Sequence, residues 1–279
     1  MNGIPFSEIP DSILESVSEK VFTYSSPLLK ITFDPPDVDY VEVIGSGTFV
    51  RVGDIYGILT ANHVAKNLDG ECFLGLALLR DEDNFKIHKS FIKIIDIGIP
   101  NTNGYGPDIA FIMFNDTHRS DIARYKDFYP LCQNRDEALS YPPPLDVGFW
   151  AACGTPQERI TLEDSASSFS AAISMQLYCA FGGVEREYIK DDYDYFEMDA
   201  DYAKAKNVPH SFKGMSGGGL WQIPITFTDD NNIIVNRYLL SGVAFWQSNQ
   251  SERKSFLRFH ARKSIYENMW DAIVNYNRS

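Results

Sequence analysis

The 279-residue chain contains no run of about 18 or more apolar residues, so nothing in it reads as a membrane-spanning helix. Its opening stretch, MNGIPFSEIPDSILESVSEK, has neither a basic start nor an uninterrupted apolar segment. It does not read as a secretory leader, and a chain complete as it stands is expected to be cytoplasmic. Basic residues are in short supply, with 25 Lys and Arg against 38 Asp and Glu and a net charge of −13. Neutralising phosphates takes a surplus of cations, which sets nucleic acid and an anionic membrane surface aside as partners. Cysteine is scarce as well. Cys72, Cys132, Cys153 and Cys179 stand in mostly apolar surroundings with no CxxC pair. That speaks against a zinc site and a disulfide framework, and for buried free thiols. No internal repeat and no low-complexity tract is found.

What the chain does have is apolar bulk: 44% hydrophobic residues and 14% aromatics, ample for a sizeable core. Residues 8–21 place Ile13, Leu14, Val17 and Val21 on one helical face. Short β-like runs follow, broken by Gly, Pro and Asn: Leu28–Phe33, Val41–Val52, Ile55–Thr60, Phe73–Leu79, Phe91–Ile97 and Ile109–Phe114. Cys132–Asp146, with Pro142, Pro143 and Pro144, reads as a loop crossing between halves. A second β-rich set comprises Val147–Ala152, Ser168–Cys179, Tyr193–Ala200, Gly219–Ile223, Ile233–Phe245 and Phe256–His260. A helix over about 264–275 closes the chain, with Ile265, Met269, Trp270 and Ile273 at helical spacing. The expected organisation is an N-terminal helical extension (1–27), a first barrel (28–131), a linker (132–146), a second barrel (147–262) and a C-terminal helix (263–279).

Three short stretches carry chemistry. Strand residues Gly45–Val50 and Gly57–Thr60 lead into Ala61-Asn62-His63-Val64, which delivers a histidine at a strand end. Pro107-Asp108-Ile109-Ala110-Phe111-Ile112 opens an apolar strand with an acid, whose carboxylate can face a cleft while the strand is buried. Gly214-Met215-Ser216-Gly217-Gly218-Gly219-Leu220-Trp221 flanks one serine with glycines, so the backbone can turn tightly there. The amides of Gly214 and Ser216 can then point into one pocket, as acyl transfer requires for the charge that develops on a carbonyl oxygen.

The order His, Asp, Ser and the motifs TANHV, DIAFI and GMSGGGLW resemble the chymotrypsin-like (trypsin-like) serine proteases, over roughly residues 40–262. Gly154-Thr155-Pro156 resembles the Gly-x-Pro that opens the second barrel in that family, and Ser241–Trp246 looks like the strand that lines its substrate cleft. The resemblance implies a mainly β fold of two antiparallel β-barrels, with a helix at each end. It implies a serine endopeptidase with His63, Asp108 and Ser216 as catalytic residues and with Gly214 and Ser216 as the oxyanion hole. His210, Ser211, Ala244, Phe245 and Trp246 are the substrate-binding candidates. Neither cofactor nor metal is called for. The partners are a protein or peptide substrate, with room for a regulatory protein.

The chain departs from the digestive members of that family. Met215 stands where they carry an aspartate that pairs with a freshly cut N-terminus, no cysteine neighbours His63, and Phe212 replaces a disulfide cysteine. The likeness is nearer to bacterial intracellular trypsin-like peptidases. Two other readings compete. Gly214–Gly218 also satisfies the G-x-S-x-G elbow of α/β-hydrolases, with Asp229 or Asp230 and His260 as formal partners, but the alternation of strands and helices is missing. A catalytically silent protease-like fold could instead bind peptides or partners. The acid-rich segment Glu185–Asp201, in which Phe196, Met198 and Ala200 alternate with charges, reads as one half-buried strand with a solvated face.

Overall fold

The computed structural model describes residues 8–34, 38–78, 85–98, 105–163, 172–201, 209, 211–230, 232–248 and 254–278. His210, Leu79, Ser168–Ala171 and the first seven residues lie outside them. The chain is mainly β, built on two curled antiparallel half-barrel sheets.

The first sheet draws its strands from one continuous stretch: β1 (Ser25–Asp34), β2 (Val38–Val52), β3 (Ile55–Thr60), β4 (Phe73–Leu76), β5 (Phe85–His88), β6 (Ile92–Ile97), β7 (Ile109–Phe114) and the two-residue β8 (Tyr129–Pro130). Their order is β5-β4-β1-β2-β3-β7-β6, with β8 running parallel to β2. The second stretch supplies β9 (Phe149–Gly154), a hairpin of β10 (Ile160–Glu163) and β11 (Ala172–Met175), then β12 (Tyr178–Gly182), β13 (Val184–Lys190), β14 (Tyr193–Asp201) and β15 (Gly219–Ile223). A second hairpin of β16 (Ile225–Phe227) and β17 (Ile233–Val235) precedes β18 (Leu239–Gln247) and β19 (Lys254–His260). The second sheet runs β12-β9-β15-β18-β19-β14-β13. Within each sheet the end strands do not pair with each other among the described residues. All other pairings are antiparallel, and no strand–helix–strand winding of the α/β-hydrolase kind is present among them.

The two sheets share one core. Val50, Leu59 and Phe111 of the first pack in the same apolar cluster as Ala151, Trp221 and Leu240 of the second. Trp221 meets Tyr24 at 5.3 Å in a stacked pair and Tyr129 at 5.1 Å edge-on, so three aromatic rings bridge the sheets. Helix α1 (Asp11–Thr23) buries Val17 and Val21, one turn apart, against this core. The Lys126 amine donates to the carbonyls of Phe22, in the last turn of α1, and Ser25, at the start of β1. Burial pushes that amine down to about 8.

Two sequence expectations need correction here. The segment 132–146 is not a loop throughout, because a short helix α2 (Asn62–Lys66) and α3 (Asp116–Ile122) are followed by α4 over Leu131–Ser140. Pro142, Pro143 and Pro144 lie beyond the last turn of α4, where proline stops a helix without breaking it. Leu131 and Ala138 on its inner face are buried. The acid-rich segment is also not a single strand with one wet face. It folds into the β13–β14 hairpin, and Asp194 and Glu197 are buried beside Phe196 and Met198. Glu197 accepts from Arg258 Nε at 3.0 Å and Nη2 at 2.9 Å, and from the Tyr188 hydroxyl at 2.9 Å. A buried charge survives only when paired in this way. Among the cysteines, Cys72, Cys153 and Cys179 are buried thiols, whereas Cys132 is exposed on the outer side of α4. No helix among the described residues is long and apolar enough to cross a membrane.

The chain ends in a π-helical turn over Ser264–Met269 that passes into α5 (Trp270–Arg278). The Asp194 carboxylate accepts the backbone N–H of Lys263 and Ser264, each at 2.7 Å, and so caps the start of this unit.

Candidate active site

Strand β3 runs out at Thr60, and α2 begins two residues later, which puts His63 just past the end of a buried strand. The Asn62 side chain donates to Gly98 O at 2.8 Å and ties this corner to the loop after β6. Asp108 sits one residue before β7, the strand that pairs with β3, so adjacent strand ends bring the two residues together. The contact is double. The His63 backbone N–H donates to Asp108 Oδ1 at 2.8 Å, and ring Nδ1 lies 2.7 Å from Oδ2. A carboxylate only accepts, so the proton of the neutral ring belongs on Nδ1 and Nε2 is left with its lone pair. Asp108 is 7% exposed and His63 41%, so the carboxylate is shut in while the imidazole stays within reach of a ligand.

Behind Asp108 stands a residue that sequence reading did not connect with it. His260, at the end of β19, is fully buried, and its Nε2 accepts the Asp108 backbone N–H at 2.8 Å. Burial pushes the His260 pKa down to about 3, against the pull of the Asp108 charge, so the ring is neutral. Its Nδ1 faces the Ser264 hydroxyl at 3.4 Å, and that hydroxyl donates to Asp194 at 2.7 Å. Asp229 and Asp230, the formal partners of His260 in the hydrolase reading, are exposed in the β16–β17 hairpin. No local pattern marks His260 in sequence; it follows an apolar strand just as His63 does.

Ser216 lies in the turn between Phe212 and β15, and this turn docks on the His63 corner. The Ser46 N–H donates to Ser216 O at 2.8 Å. Gly217 has φ +88°, and a Cβ there would collide with Ser46 O and Thr60 Oγ1, two residues short of Asn62. Gly214, with φ +96°, is pressed as well, though less closely, since a Cβ would sit 2.6 Å from Thr155 O.

The backbone of this turn can be accounted for group by group. The carbonyls of residues 212 to 216 accept, in order, from Met215 N, Gln157 N, Ser46 Oγ, Gly218 N and Ser46 N. The N–H groups of Phe212, Lys213, Met215, Gly217 and Gly218 donate to Gln247 Oε1, Ser211 Oγ, Phe212 O, Ala244 O and Met215 O. Among the described residues only the N–H groups of Gly214 and Ser216 meet no protein acceptor within this turn, and both residues are half-exposed.

The expected substrate-binding positions divide. Ser211 is half-buried, its hydroxyl turned to Lys213 N. Ala244 exchanges backbone hydrogen bonds with Gly217 and Gly218. Phe245 is the bulged residue between the pairs Ala244↔Phe259 and Trp246↔Arg258, and its ring packs at 4.5 Å on His260. The Trp246 ring is partly exposed and takes the Arg258 guanidinium on its face at 4.5 Å. His210 lies outside the described residues.

Comparison with protein-family models matched none, and no curated protein matched the sequence.

Proposed function

We propose that this chain is a serine hydrolase of the chymotrypsin-like class, an endopeptidase that cuts peptide bonds through an acyl-enzyme. In this reading the two half-barrel sheets are the two barrels of that class, and the catalytic residues lie between them. The observation that carries it is the pair of unpartnered amides at Gly214 and Ser216, in a turn whose carbonyls are all held and which docks beside the His63–Asp108 pair. A turn that only needed to reverse the chain would have no reason to leave two donors, two residues apart, without an acceptor.

The chemistry follows from those groups. His63 Nε2 takes the proton from Ser216 Oγ as that oxygen adds to the scissile carbonyl. The carbonyl oxygen becomes negative and receives the N–H groups of Gly214 and Ser216. Asp108 holds the ring in the tautomer that leaves Nε2 basic and stabilises the imidazolium once formed. The imidazolium then gives its proton to the departing amine, and water, activated by the same ring, releases the acyl group. A peptide fits as substrate because β18 beyond Ala244 pairs on one side only, with β19, among the described residues. Phe245 and Trp246 therefore offer a strand edge beside Ser216 to an extended chain.

The test is covalent. A fluorophosphonate probe should label the folded protein at Ser216 and leave Ser216→Ala unlabelled. A folded protein that takes up no probe would favour a silent fold that binds partners instead.

A further inference from the structure

Ser46 touches the serine turn in two places and the His63 strand in a third. It lies on β2 of the first sheet and is buried. Its hydroxyl accepts the Thr155 N–H at 2.9 Å and donates to Gly214 O at 2.8 Å. Its backbone N–H donates to Ser216 O at 2.8 Å, and its carbonyl accepts the Thr60 hydroxyl at 2.8 Å. Every hydrogen-bonding group of this one residue is thus engaged, joining the Thr60 end of β3 to Thr155 and to the carbonyls of the two residues that bracket Met215.

That bracket matters because peptide units are planar and their N–H and C=O point in opposite directions. Pinning the carbonyls of Lys213 and Met215, by Gln157 N and Gly218 N, turns the N–H groups of Gly214 and Ser216 the other way, away from those bonds. The peptide between them, Gly214–Met215, is the hinge. A glycine at φ +96° can rotate that unit with little steric penalty, and a rotation would swing a carbonyl toward the place meant for a negative oxygen. The N–H of this peptide donates to Phe212 O at 3.0 Å, and among the described residues the Ser46 hydroxyl is the one group that holds its carbonyl.

We infer that Ser46 is a positioning residue for the oxyanion pocket, reaching from the first sheet to lock the Gly214–Met215 peptide of the second. This rests on the reading of Ser216 as nucleophile. Met215 is itself buried among Trp150, Phe212 and Leu220 and carries no charge with which to hold the turn. The lock is a neutral hydroxyl already in place, so the pocket is formed as the chain folds.

The experiment uses the full chain with 4-nitrophenyl acetate, read as burst and turnover, and a fluorophosphonate, read as labelling rate. Wild type should be labelled and Ser216→Ala should not. Ser46→Ala, compared at equal folded concentration, should lose about 10²-fold in acylation rate and kcat, the scale of losing one oxyanion donor, while KM stays within about threefold. Ser46→Thr, which keeps the hydroxyl, should recover most of that loss. Ser46→Cys, close in volume but a weak donor, should fall with Ser46→Ala and serves in its place if the alanine variant does not fold. A folded Ser46→Ala or Ser46→Cys acylated at the wild-type rate would overturn the role of Ser46 and leave Ser216 standing. A wild type that neither turns over ester nor takes up probe would overturn both.

Discussion

Asp108 is approached from two sides by histidines that each follow a buried strand, and the two sides differ in almost every physical respect. His63 is 41% exposed and meets the carboxylate through its ring. His260 is fully buried, its ring tilted against that of Phe245, and meets the backbone N–H of Asp108. On the open side a proton can come and go. On the closed side burial holds the ring neutral down to about pH 3, so it serves as a fixed acceptor. What separates the two histidines is the access of water, since residue type, strand-end position and neighbour are shared, and on the proposed function that access is what fits His63 for the role of base.

The largest effect tests the open side. Ser216→Ala and His63→Ala should each lower turnover on the order of 10⁶-fold, and the double variant should lose no more than either, as residues acting as one unit do. Separate, additive tenfold losses measured by ester hydrolysis would remove the triad. Asp108→Asn should cost about 10⁴-fold in kcat, the scale seen when a triad histidine loses the acid that fixes its tautomer. A loss confined to KM would contradict that role.

The closed side should respond in stability instead. His260→Ala removes a buried ring and strands the Asp108 N–H, so unfolding free energy should drop by about 3 kcal/mol, read from denaturant melts. If His260→Ala kept full stability and lost activity as completely as His63→Ala, the two sides would not differ as described. The pH dependence sharpens the contrast. The unfolded chain protonates His260 below about 6.5, whereas the folded chain cannot until about 3, so stability contributed by neutral His260 is present above 6.5 and lost as pH falls. Between pH 6.5 and 5 this removes about 2 kcal/mol, and His260→Gln should flatten that slope. The smallest effect belongs to Ser264→Ala, which loosens the far end of the same chain of contacts and should cost about 1 kcal/mol with kcat unchanged.

Much of this geometry was legible in the sequence, and the reason is local. His63, Asp108 and Ser216 each sit at a strand end marked by its own motif, and strand ends are where pattern and turn chemistry are strongest. The terminal helices were equally readable, because Val17 and Val21, or Ile265 and Met269, repeat at helical spacing. Helix α4 was hidden because three prolines just beyond it outweigh its sparse apolar positions. His260, Glu197 and Ser46 were not legible as partners at all, since each is defined by a residue far away in the chain: Asp108, Arg258 and Gly214. Burial of a charge or a hydroxyl is a tertiary fact, and composition along a strand does not announce it.

The closing helix has a consequence for how the molecule is made. Ile265, Tyr266, Met269 and Ile273 fill the same core as Val50, Leu59 and Phe111 of the first sheet, and Tyr266 reaches Leu240 O at 2.9 Å. During synthesis the first sheet leaves the ribosome long before this plug does, and it must wait with an apolar face uncovered. A nascent chain stalled anywhere between Pro130 and Ser264 would hold His63 and Asp108 in an unfinished core, and with contacts this distant in sequence its folding should be slow.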